Sequence, residues 1–200
     1  MPFPPPLDIT NMYSNIPIVE TKKILTDILK LELVNLQAQQ EILNWYDIIK
    51  KQNYFTQNND IIYQYDGIAM DAPSSGLIAE MFLQHTEQKH LPLITHKHKI
   101  INYCRYIGDI LIILDSTHTN IQQILKDFNT LHPKLHCTAE MEKDQSLNYL
   151  DVSIHRTPTH INTAIYRKPT FTDTIIPYTS NHPAHHKYAT VRFLYNRLDT

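Results

Sequence analysis

The sequence predicts an α+β fold on an antiparallel sheet, from three observations. Apolar residues recur at helical spacing in the first quarter and again through GLIAEMFLQHTEQKH. Short aromatic and β-branched runs come in hairpin-like pairs. The two kinds of element do not alternate in the strand–helix–strand order of a parallel sheet. With 200 residues and 42% hydrophobic content, the chain can bury one sizeable core.

Pro2, Pro4, Pro5 and Pro6 rule out a central strand immediately before Leu7. Pro17 opens a helix through IVETKKILTDILKLEL with an apolar stripe of Ile24, Leu25, Ile28 and Leu31, and a second helix spans QEILNWYDIIKKQ. NYFTQNNDIIYQYDG predicts a hairpin turning at Asn58-Asn59-Asp60. Ser74 or Ser75 caps a helix across GLIAEMFLQHTEQKH. IINYCRYI and ILIILD form the arms of a second hairpin turning at Ile107 to Asp109, and NIQQILKDFNTLH is helical. Strands resume at LNYLDVSIHR and INTAIYRKP, and AHHKYATVRFLYNRL is helical. Only three glycines occur, at 67, 76 and 108, and each is expected to answer a backbone requirement.

Charged residues make up 19% of the chain and the formal net charge is -2, which excludes a uniformly basic nucleic-acid surface. The charge is uneven. Residues 156–200 carry six basic residues (Arg156, Arg167, Lys168, Lys187, Arg192, Arg197) against two acidic ones (Asp173, Asp199), a net +4. This divides the chain into a core over 1–155 and a basic segment over 156–200. Cys104 and Cys137 are expected as buried thiols in a reducing, intracellular compartment. No stretch has the length and apolarity of a membrane span or a secretory leader, so no membrane partner is expected. The twelve histidines raise a zinc site through His96 and His98, or through His182, His185 and His186. Without a cysteine pair at ligand spacing, solvated polar residues are the better account.

Four stretches carry the chemistry: DITNMYSNIP from Asp8, GIAMDAPSSGLIAE from Gly67, YIGD from Tyr106, and LNYLDVSIHR followed by YRKPTFTD from Tyr166 to Asp173. In this order they resemble a reverse transcriptase palm. NYLDV, YRKPTFTD and SNHPAHHK are similar to the reverse transcriptases of Penelope-like retroelements, and the resemblance runs from Asp8 to about Arg197.

The resemblance implies an antiparallel palm sheet with packed helices and RNA-directed DNA polymerisation by two-metal nucleotidyl transfer. Two Mg²⁺ ions about 4 Å apart need carboxylates converging from separate strands. Asp8 and Asp109 match the metal-binding, catalytic aspartates. Tyr13 matches the aromatic position beside the incoming nucleotide's sugar, and Met70, Ala72 and Pro73 match the nucleotide-binding block beneath the nascent base pair. Arg167, Lys168, Arg192 and Arg197 would meet phosphates. The implied partners are an RNA template, a DNA primer and deoxynucleotides.

Three departures set this chain apart from the family pattern. Gly108 stands where the first of the hairpin's paired aspartates belongs, the carboxylate that bridges the two metals. Asp115 cannot replace it, since six residues of strand place it roughly 20 Å away. Asp71 stands where a second glycine is expected, either close to nucleic-acid phosphates, which it would repel, or pointing into solvent at a helix N-terminus, where a negative charge is welcome. The prolines before Asp8 imply a strand that has lost its first half, with the fingers region largely missing. The expectation is therefore a truncated copy with impaired activity; the alternative is a non-catalytic remnant that binds nucleic acid weakly through its basic segment. Tyr106-Ile107-Gly108 is also half of the GIY-YIG nuclease signature, but no Gly-Ile-Tyr precedes it.

Overall fold

The computed structural model describes residues 6–70, 72–114, 120–140, 142–170 and 175–198. They form two compact units, one ending at Ile165 and one beginning at Tyr166. In the first, the elements run β1 (Leu7–Ile9), α1 (Met12–Asn15), α2 (Ile18–Leu31), α3 (Leu36–Lys51), β2 (Tyr54–Gln57), β3 (Asp60–Tyr63), α4 (Ser75–His98), β4 (Ile100–Tyr106), β5 (Asp109–Leu114), α5 (Ile121–Phe128), β6 (Cys137–Ala139), β7 (Ser146–Tyr149), β8 (Val152–Arg156) and β9 (Ile161–Ile165). The second holds α6 (Ala184–Lys187) and α7 (Ala189–Leu198). Helices with antiparallel sheets make this an α+β fold. The division falls beyond residue 155 because β9 pairs along its length with β8.

The main sheet has the order β4-β5-β1-β6, every neighbouring pair antiparallel. β1 lies inside the sheet, bonded on both sides, although only three residues long. Just before it, the carbonyl of Pro6 accepts from the amide of Glu140 at 3.1 Å. Pro2, Pro4 and Pro5 lie outside the described residues.

Strand alternation decides which face is buried. Leu7, Ile9, Ile110 and Ile112 point into the core, where they meet Ile24 of α2, Phe82 and Leu83 of α4, and Ile124 and Phe128 of α5. Helices therefore cover one face of the sheet, and Asp8, between Leu7 and Ile9, is carried on the other.

Several elements differ from the sequence reading. The helix over 76–90 continues through Pro92 to His98. Its cap is not a serine hydroxyl: Ser74 makes no side-chain cap bond, and Ser75 Oγ donates to the Ala69 carbonyl at 2.6 Å. LNYLDVSIHR is not one strand but a hairpin, turning where Leu150 adopts a left-handed φ of 52°. Together with β9 it makes a three-stranded meander. The 58–59 hairpin turns on Asn58 and Asn59 alone, both with positive φ, and Asp60 begins β3. In α2 the buried residues are Ile18, Thr21, Ile24 and Leu29, while Leu31 is 80% exposed. AHHKYATVRFLYNRL breaks at Tyr188 into α6 and α7. Cys137 is buried but Cys104 is exposed, because alternation on β4 turns it away from the core.

Candidate carboxylate site on the central hairpin

Asp8 and Asp109 are register partners across β1 and β5. The Ile9 amide donates to the Gly108 carbonyl at 3.0 Å, a bond between the residues that flank Asp8 and Asp109 on the turn side. The next pair, Asp8/Asp109, is then a non-hydrogen-bonded one, the kind in which Cα atoms approach to about 4.5 Å and side chains lie closest. Both carboxylates therefore stand on the same face of the sheet, opposite the core.

Like charges directly opposed on a sheet repel. The field of the pair reaches its neighbours: burial first, and then the Asp8 charge, pushes the Cys137 thiol up to about 11. Burial, followed by Asp109 and Cys104, raises Tyr149. The Tyr149 hydroxyl donates to the Asp109 backbone carbonyl at 3.3 Å and so ties the start of β5 to the meander.

The hairpin turns on Ile107 and Gly108, flanked by the pair Tyr106/Asp109. The left-handed residue is Ile107 (φ 56°), not the glycine. Gly108 is buried and its backbone is open to any residue. A β-carbon built on it would meet Asp8 Oδ1 at 3.5 Å, the Ile9 carbonyl at 3.6 Å and Met12 Sδ at 3.7 Å, all ordinary contacts. The expected backbone requirement at this glycine is absent, and the space beside Asp8 accepts a side chain.

The carboxylate pair opens onto a cleft of about 500 Å³ whose walls include Tyr13, Gln64, Met70 and Gly108. The cleft thus brings together Asp8, Asp109, Tyr13 and Met70. Ala72 and Pro73 do not join them. They line a separate apolar pocket of about 370 Å³ with Trp45, Ile49 and Ile78. Gly67 does answer a backbone need: its φ is 75°, and a β-carbon there would fall 2.2 Å from the Ser14 carbonyl oxygen.

Whether these residues suit Mg²⁺ can be judged from the donor set. Among the described residues no three His, Cys, Asp or Glu side chains converge on one point. Two opposed carboxylates do match the usual protein contribution to one Mg²⁺, which takes its remaining ligands from water and substrate phosphates. They are one short of a bridged pair of ions.

Arg167, Lys168 and Arg192 are exposed within the second unit. Arg197 falls in α7 with its side chain outside the described residues; Asp71, Asp115 and residues 171–173 of the YRKPTFTD block also lie outside them. Of the histidines, His98 is buried against Asp127 (Nε2 to Oδ2 2.6 Å), while His182, His185 and His186 are exposed. No helix among the described residues is long and apolar enough to cross a membrane. Sequence reasoning missed Gln64, Tyr149 and Arg105. The one available signal was the position of Tyr149 inside NYLDV.

No protein-family model matches this sequence, and no curated protein compared with it matches either. Among solved structures, the fold is similar to that of apo telomerase from Candida tropicalis truncated from its C-terminal domain, with a TM-score of 0.56 and 11% identity. The similarity covers 80% of this chain and 35% of that one, so the chain spans about a third of the telomerase length. At this identity what is shared is the fold: this protein has a reverse-transcriptase-like fold.

Proposed function

We propose that the chain is the palm of an RNA-directed DNA polymerase of the Penelope-like retroelement kind, impaired in this copy. The observation that carries the reading is the non-hydrogen-bonded opposition of Asp8 and Asp109 at the floor of the cleft lined by Tyr13 and Met70. Mutual repulsion makes such a pair unfavourable by itself, and a divalent cation removes that cost.

Asp8 and Asp109 would hold Mg²⁺, which supplies Lewis-acid stabilisation of phosphoryl oxygens when bound. The chain's own residues do the rest. The two aspartates fix the charge at one point of the sheet, and Tyr13 and Met70 form the wall against which a deoxynucleotide would rest. Gly108 contributes nothing to the charge. Because the glycine meets no conformational need, its effect is the loss of one carboxylate from the site. Losing even supporting contacts at a metal site costs about 10- to 100-fold, so turnover on a primed RNA template should be very low.

A second reading, a non-catalytic remnant that binds nucleic acid, is favoured by the same open space at Gly108 together with the exposed Arg167, Lys168 and Arg192. Two measurements separate the readings. Mn²⁺ binding, followed by water-proton relaxation, is expected in the unaltered chain and should be lost in Asp8→Asn and Asp109→Asn. Primer extension should be marginal in the unaltered chain and at least about tenfold faster in Gly108→Asp. Robust extension by the unaltered chain would overturn the impairment. Mn²⁺ binding indifferent to both aspartates would overturn the site.

A further inference from the structure

Arg105 lies on β4, two residues before the Ile107-Gly108 turn, with its side chain 6% exposed. A guanidinium has five N–H donors, and here all five are engaged. Nη1 and Nη2 each donate to a Glu80 oxygen at 2.9 Å, Nε and Nη2 donate to the two oxygens of Glu87 at 2.5 and 3.2 Å, and Nη1 also donates to the Ile107 carbonyl at 2.9 Å. Glu80 and Glu87 lie two turns apart on one face of α4. Tyr103, on the same face of β4 as Arg105, donates to Glu87 Oε1 at 2.5 Å and completes the attachment.

A cation committed to two carboxylates has no donor left for a phosphate. Its fifth bond goes to a residue that needs holding, because Ile107 is β-branched and sits at φ 56°. Such a conformation persists only where the surroundings over-determine it. One residue further on, the Gly108 carbonyl accepts the Ile9 amide, the bond that sets Asp8 opposite Asp109.

We propose that Arg105 is a positioning residue for the Asp8–Asp109 pair: by fastening the Ile107 carbonyl to α4, it holds the turn in the conformation that keeps Gly108 against Ile9. That the pair binds metal rests on the function proposed above; the clamp itself does not.

Arg105→Lys keeps the charge but cannot form the fork of five bonds. In the full chain, native-state hydrogen exchange of the Ile9 amide is expected to quicken at least about tenfold in this variant, with amides of α5 little changed. Mn²⁺ affinity should fall in parallel. A second variant separates positioning from general loss of packing. Glycine adopts a left-handed φ freely, so Arg105→Lys combined with Ile107→Gly should recover slow Ile9 exchange although Glu80 and Glu87 still lack their partner. Unaltered Ile9 exchange in Arg105→Lys, or no recovery in the double variant, overturns the proposal. Exchange that follows this pattern in a chain showing no Asp109-dependent Mn²⁺ binding sinks the metal reading alone and leaves the clamp standing.

Discussion

A β-carbon on Gly108 would stand 3.5 Å from Oδ1 of Asp8, beside the carboxylate and far enough from it to avoid a clash. This relationship makes the glycine the most informative position in the chain. Gly108→Asp should fold normally and place a third carboxylate at the pair. Without metal, the added repulsion should lower the thermal midpoint. With Mn²⁺ the order should reverse, because a ligand at 100 times its Kd stabilises by about 2.7 kcal/mol and the variant reaches that ratio at lower concentration. Calorimetry with chelator and with Mn²⁺ checks both signs. Identical metal-induced shifts in the two proteins would count against a third ligand at 108.

The other two glycines should behave oppositely to each other. Gly67→Ala forces a β-carbon to within 2.2 Å of the Ser14 carbonyl oxygen at a left-handed φ, and should cost about 3 kcal/mol or more. Gly76, near the start of α4, has nothing within 4 Å of the added carbon, so Gly76→Ala should stabilise by about 0.5 kcal/mol. Urea midpoints decide both.

Cys104 should be alkylated by iodoacetamide in the folded protein and Cys137 only on unfolding, with intact mass as the readout. Burial and the Asp8 charge push Cys137 up to about 11 from an ordinary value of 9.0. A thiol raised on folding favours the folded chain below its unfolded pKa. That contribution is lost as pH climbs through the folded value. Stability should therefore decline between pH 9.0 and about 11, and Cys137→Ala should flatten the decline.

Nucleic-acid binding, tested on a primer-template duplex, should be weak and salt-sensitive. Four phosphate contacts, from Arg167, Lys168, Arg192 and Arg197, bound the slope of log K against log salt at about -3.6. A steeper slope would mean that other cations take part; a flat one would exclude the phosphate contacts.

The β4–β5 hairpin was legible because two runs rich in β-branched, aromatic and other apolar residues, separated by a short break, mark it locally. The proximity of Asp8 to Asp109 was not legible from spacing, since the two strands come from opposite halves of the chain, and only the resemblance brought them together. The turn shows where local reasoning fails. Glycine at 108 invites the left-handed conformation, yet Ile107 adopts it, with its carbonyl held by Arg105 of β4, which is itself anchored to Glu80 and Glu87 of α4. In LNYLDVSIHR the turn falls on Leu150 and Asp151, and the left-handed residue is again the bulky one, Leu150, so Asp151 alone was too weak a signal to announce it. Ala72 and Pro73 follow Met70 closely in sequence but line a different pocket, and nearness in sequence did not tell the two apart.

The brevity of β1 has a kinetic consequence. A two-residue hairpin such as β4–β5 closes within microseconds, and the β8–β9 pairing is nearly as local. Three residues of β1 gain their bonds only by finding β5 and β6, each on the order of a hundred residues away or more, and loop closure over that distance must precede any reward. Asp109 therefore waits on a hairpin that forms early, while Asp8 arrives later, with the strand that must cross the long loop. A chain emerging from synthesis has no carboxylate pair until β5 has been made and β1 has reached it across about a hundred residues, and β6 then finds its sheet partner in β1.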